Sequence, residues 1–183
     1  MKNRNLDSEL LREGYKSYHK AVFAVMDFRR KAGTIIEAAI EKRTPELAAS
    51  MKMEEDDLRN GSCRYTTPDK LIQKYDGSET QIGVRIPRSW DSKWHLHYYL
   101  WIGDGAEPFF AAEVRFKTPG SAIEKLAAAC KELEYYETYA LISEPVPADG
   151  SRDLAAVCDS VLNRWIVLWK KVGGLRQFIS KLG

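Results

Sequence analysis

The sequence predicts an α+β fold in which a long N-terminal helix and a long C-terminal helix flank a small sheet, and three observations carry that prediction. Between Thr80 and Lys117 apolar and polar residues alternate with the two-residue period of strands. On either side, apolar residues recur at alternating intervals of four and three, the period of helices. A further helix between the third and fourth strands completes the order helix, short helix, three strands, helix, strand, helix. A chain of 183 residues, 44% hydrophobic and 30% charged, has the length of a single domain with a proper core. The sheet-bearing core is expected over 61–183 and the long helix over 7–43.

Asp7 or Ser8 can cap the first helix, and no proline interrupts it until Thr44-Pro45, which is expected to stop it. Leu11, Tyr15, Tyr18, Val22, Val25, Ala32, Ile36 and Ala39 form a heptad seam broken only by Arg29. At 1.5 Å per residue this helix would span about 55 Å, against a diameter of roughly 40 Å for a compact chain of this size. It therefore either bends, most cheaply at Gly33, or projects and packs on another chain. Arg29, Arg30 and Lys31, with Lys16, Lys20, Lys42 and Arg43, make its solvent side basic. Thr44 and Pro45 then read as the N-cap and first residue of a short second helix. Asn60-Gly61-Ser62 marks a turn, and a brief helix capped by Thr67 would place Tyr65, Leu71 and Tyr75 against the sheet.

The meander follows. Ile82, Val84 and Ile86 share one face of its first strand; Trp94, Leu96, Tyr98, Leu100 and Ile102 share one face of the second, with His95, His97, Tyr99 and Trp101 on the other. Phe110, Ala112, Val114 and Phe116 point inward from the third, leaving Glu113, Arg115 and Lys117 on its second face. Ser121 and Glu124 have the spacing of a capping box for the next helix. Glu137 to Ser143 reads as a fourth strand that a helical crossover would bring parallel to the third, giving a mixed four-stranded sheet. Ser151 is the expected cap of the last long helix, whose stripe runs Leu154, Cys158, Val161, Trp165, Leu168 and Val172. Gly173-Gly174 ends it, and Leu175, Phe178, Ile179 and Leu182 form a final amphipathic turn or two.

A net charge of +2 and a pI near 8.3 exclude a wholesale attraction to nucleic acid. Three cysteines without a C-x-x-C pair point to free, buried thiols in a reducing compartment, and no stretch approaches the roughly 20 apolar residues of a membrane span. A cytoplasmic protein with no membrane partner is expected. No P-loop, G-x-S-x-G or dinucleotide fingerprint occurs.

The element order, with Ala112-Glu113-Val114-Arg115-Phe116 in the third strand, resembles the core of the PD-(D/E)XK nucleases over roughly Thr80 to Ser143. That family runs helix, three strands, helix, strand, with an acid-x-lysine motif in its third strand. The resemblance implies a magnesium ion held by Glu113 and a second acid, Asp104 or Asp91, with Arg115 in the lysine position. Arg115 would stabilise charge there without serving as a titrating base. Apart from that alternative no cofactor is expected. His95 and His97, two apart on a strand, point to one side and could share a metal, but Tyr99 and Trp101 beside them read as an aromatic interaction surface.

Three function classes follow. The first is a non-catalytic protein that self-associates or docks another protein through the long helix and the aromatic sheet face. The second is a metal-dependent nuclease or inactive relative using Glu113, Arg115 and Asp104, and the third a nucleic-acid binder using Arg29, Arg30 and Lys31.

Overall fold

The first helix sets the frame of the molecule. In the computed structural model, which describes residues 3–66, 80–87, 92–103, 107–117, 121–147 and 149–180, α1 (Asn3–Met51) runs unbroken for 49 residues, a span of about 73 Å. Pro45 lies inside it. The expected stop at Thr44-Pro45 and the separate helix after it are therefore corrected: they are one rod. A proline in a helix interior costs about 3 kcal/mol through its missing N–H and its clash with the preceding turn. Here Ile36, Ala39 and Ile40 before it and Leu47, Ala48 and Met51 after it are all buried in one core. At about 1.5–3 kcal/mol for each large side chain, that burial outweighs the proline. Thr44 does not cap; its hydroxyl donates to the Ile40 carbonyl at 2.9 Å. The helix ends where Lys52 turns left-handed (φ 58°) and the Met53 N–H reaches back to the Ala48 carbonyl at 3.0 Å, a Schellman closure.

A short helix, α2 (Glu55–Asn60), lies beside α1, tied by Arg59, which donates to Glu41 at 2.9 Å and to Glu55 at 2.7 Å. The sheet contains β1 (Cys63–Thr66), β2 (Thr80–Ile86), β3 (Trp94–Ile102), β4 (Phe109–Phe116), β5 (Glu134–Tyr135) and β6 (Tyr139–Pro145), in the spatial order β1-β2-β3-β4-β6-β5. The three meander strands match expectation almost to the residue. Two strands are additional, and the direction of the last is corrected. β6 runs antiparallel to β4, and β5 antiparallel to β6, so every neighbouring pair among the described strands is antiparallel.

The expected crossover exists, but it joins β4 to β5. After β4 the chain passes through α3 (Ala122–Ala129) to β5, which shares the direction of β4; a tight reversal then inserts β6 between them. The Tyr136 N–H donates to the Tyr139 carbonyl at 2.8 Å in that reversal.

The capping box at α3 does not form: Ser121 makes no side-chain cap bond, and its carbonyl accepts from the Lys125 N–H at 3.1 Å. The last long helix, α4 (Leu154–Val172), is capped by Asp153 and not Ser151. The Asp153 carboxylate accepts from the Ala156 N–H at 2.7 Å, and an aspartate directly before the first turn is better placed than a serine two residues earlier. Gly173 closes α4 in the left-handed region (φ 85°) as expected, and α5 (Leu175–Ser180) buries Leu175 and Phe178. At Gly174 (φ 93°) an added Cβ would sit 3.0 Å from the Met51 carbonyl oxygen, so the backbone entering α5 is pressed onto the end of α1.

One core fills the space between the sheet and the helices. It joins Ile82, Val84, Leu96, Tyr98, Phe110 and Ile142 from the sheet to Ile36 and Leu47 of α1 and Val161, Trp165 and Trp169 of α4. The two indoles meet edge to face with centroids 5.4 Å apart, a favoured aromatic geometry. Burial raises the pKa of the Tyr98 phenol and of the Cys158 thiol. All three cysteines are free; Cys158 is buried, whereas Cys63 and Cys130 are only half-buried.

Candidate functional site

Two surfaces gather the residues singled out above. The first is the sheet face turned away from the main core. Strand register places Arg85 of β2 opposite His97 of β3, and His97 opposite Glu113 of β4. Tyr99 faces Gly83, where an added Cβ would come within 2.7 Å of the Tyr99 Cβ; the missing side chain leaves room for the tyrosine ring. The Tyr99 hydroxyl donates to Glu113 Oε2 at 2.9 Å, and Arg115 Nε donates to Oε1 at 3.0 Å. Glu113 is 1% exposed, so this carboxyl group is internal and held at both oxygens. The Arg115 guanidinium, partly exposed, lies 5.0 Å over the Tyr139 ring.

His95 and His97 approach edge to face at 6.0 Å. Burial first, and then the nearby Arg115, His95 and Arg85, lower the His97 pKa to about 3, so the imidazole is neutral at physiological pH. Beyond this polar centre, Tyr99, Ala111 and Leu141 form a small apolar cluster, with Trp101 stacked on Phe109 at 5.0 Å along its half-buried rim. Glu113, Arg115, His95, His97 and Tyr99 thus come together as the strand periodicity implies. Arg85 completes the group; its alternation with Ile86 was the signal that could have found it. Asp104 and Asp91 lie outside the described residues, and among the described residues no group of three or more His, Cys, Asp or Glu side chains is placed to hold a metal ion.

The second surface is the N-terminal half of α1. From Ser8 to Lys31 no side chain is buried, and burial begins abruptly at Ala32. With 100° between successive residues, Leu10, Leu11, Gly14, Tyr15, Tyr18, Ala21, Val22, Val25, Met26 and Phe28 occupy one arc of about 160°. Glu9, Glu13, Lys16, Lys20, Asp27 and Lys31 lie opposite. Leu11 is 75% exposed, Tyr15 65% and Tyr18 51%. The arc continues the line of Ala32, Ile36 and Ala39, which is buried against the core, so one amphipathic face is covered over its C-terminal half and bare over its N-terminal half. Tyr15, His19 and Phe23 form a column of ring contacts along one side.

In the basic triplet, Arg30 and Lys31 both reach Asp27, at 2.8 and 2.6 Å, and hydrogen bonds from Lys31 and then Arg30 hold the Asp27 carboxyl below its usual range. The basic patch is thereby partly neutralised within its own turn. No helix among the described residues is long and apolar enough to cross a membrane. No protein-family model, no curated protein and no solved structure matches this chain.

Proposed function

We propose that this chain is a non-catalytic interaction protein whose working surface is the exposed half of α1, with the helix-on-sheet core acting as its anchor. One observation supports the reading above the rest: a bare apolar arc, continuous with a buried one, runs for more than five turns beyond the core. Lone exposed hydrophobes are ordinary, but a contiguous apolar face of this length marks a contact surface. The buried carboxylate on the sheet fits this reading, because Tyr99 and Arg115 occupy both of its oxygens and give it a structural part in joining β3 to β4. The half-buried Trp101–Phe109 pair is a smaller, secondary contact patch.

The test compares the full chain with a Leu11→Asp, Tyr15→Asp, Tyr18→Asp variant by light scattering, once purified and once after mixing with cell lysate. The native arm should enter an assembly, with itself or with another protein, that the variant does not enter. Indistinguishable monomers in both settings would overturn the proposal.

A further inference from the structure

Resting on that reading, we infer that the partner is a second copy of this chain, paired arm to arm in antiparallel orientation about Tyr18. The bare apolar arc runs from Leu10 to Phe28 and is centred near Tyr18, so two arms laid head to tail cover each other's arc from Leu10 to Met26. In that register Leu11 faces Val25, Leu10 faces Met26, Tyr15 faces Ala21 and Gly14 faces Val22: a small residue meets a larger one at each inner step.

Gly14 is the sharpest part of the argument. Nothing of its own chain lies within 4 Å of where its Cβ would be, so its own fold gives no reason for a glycine in mid-helix. A notch between Leu10, Leu11, Tyr15 and Tyr18 is what a facing helix needs to seat a Val22 knob.

Charge decides the orientation. In a parallel pair, with helix axes about 8–10 Å apart, the two Arg29-Arg30-Lys31 triplets would lie side by side at roughly one Debye length, with Arg29 inside the seam. Antiparallel pairing separates the triplets by about 36 Å along the axis, well beyond a Debye length. The area is sufficient as well. Leu10, Leu11, Tyr15, Tyr18, Met26 and Phe28 are each about half or more exposed; at roughly 100 Å² apiece they offer on the order of 600 Å² per copy, the lower end of stable interfaces.

The experiment uses the full chain with Cys63→Ser and Cys130→Ser, leaving the buried Cys158 in place. Light scattering on the purified protein should give twice the 20.9 kDa chain mass. Under mild oxidation, Leu11→Cys and Val25→Cys chains should form a disulfide with each other when mixed and none when alone. Gly14→Ala, which leaves the monomer's own contacts untouched, should weaken association on the order of tenfold by closing the notch. Self-linking of Leu11→Cys or of Val25→Cys would overturn the antiparallel order. A purified monomer that nonetheless enters an arm-dependent assembly in lysate would overturn the second-copy inference and leave the interaction reading standing. A monomer in both settings would end both.

Discussion

The two halves of α1 share a helix, a periodicity and an apolar face, yet residues 32–51 supply the helix's buried core side chains while no side chain over 8–31 is buried. The contrast teaches that amphipathic pattern states that a face will be covered, not by what. The apolar period is the same on both sides of Ala32; the difference is whether sheet and α4 lie alongside. A helix is held in water mostly by what it packs on, so the covered half owes its stability to the core and the bare half depends on whatever meets it.

The largest expected effect probes the covered half. Leu47→Ala removes a side chain that is 1% exposed and should cost about 2–5 kcal/mol in urea unfolding, whereas Leu11→Ala should change unfolding of the dilute protein by no more than about 0.5 kcal/mol. Equal losses would erase the distinction between the halves.

A second measurement separates the regions by acid. His97 of the core has a folded pKa of about 3 against 6.5 unfolded, so the unfolded state binds the extra proton between those values and stability falls as pH drops through that window. Lowering the pH from 7 to 5 should cost about 2 kcal/mol from this group, and His97→Leu should flatten that part of the profile, as read from urea midpoints at each pH. An unchanged slope would remove His97 as its source.

Pro45→Ala asks how firmly the core grips α1. It should raise stability by about 1–2 kcal/mol, the restored N–H outweighing the unfolded-state entropy that proline removes; a lowered melting temperature would mean that the core is shaped around the proline. The smallest effect is at Gly14. Replacement by alanine should stabilise the arm's helix by about 0.5–1 kcal/mol, seen as added helicity by circular dichroism at high dilution, while association weakens. A gain in both would deny Gly14 any role in contact.

The meander was legible because strand alternation with both faces bulky leaves little choice of register: Trp94 to Ile102 follows from the sequence and matches β3 end to end. Two misreadings have a common physical source in tertiary packing. Pro45 carries a strong local stop signal, and only the burial of Leu47, Ala48 and Met51 beyond it overrides that signal. The two-residue β5 has no periodicity of its own to read, so the sequence pattern carries the crossover on to β6 and gives that strand the opposite direction. On the candidate surfaces, Glu113, Arg115 and Tyr99 share a face by simple alternation, but the hydrogen bonds that occupy Glu113 depend on rotamers that no spacing encodes. The bare arc of α1 was visible as a heptad seam with a length too great for its globule.

The brevity of β5 matters for how this molecule meets others. An open β-edge is a template on which further chains can add without limit, and here the edge strand β5 is two exposed residues long, its Glu134 carboxylate accepting from the Ser143 hydroxyl of β6 at 2.7 Å. A further strand adding on that side would find only two residues of β5 to pair with, too few to template growth into a fibril.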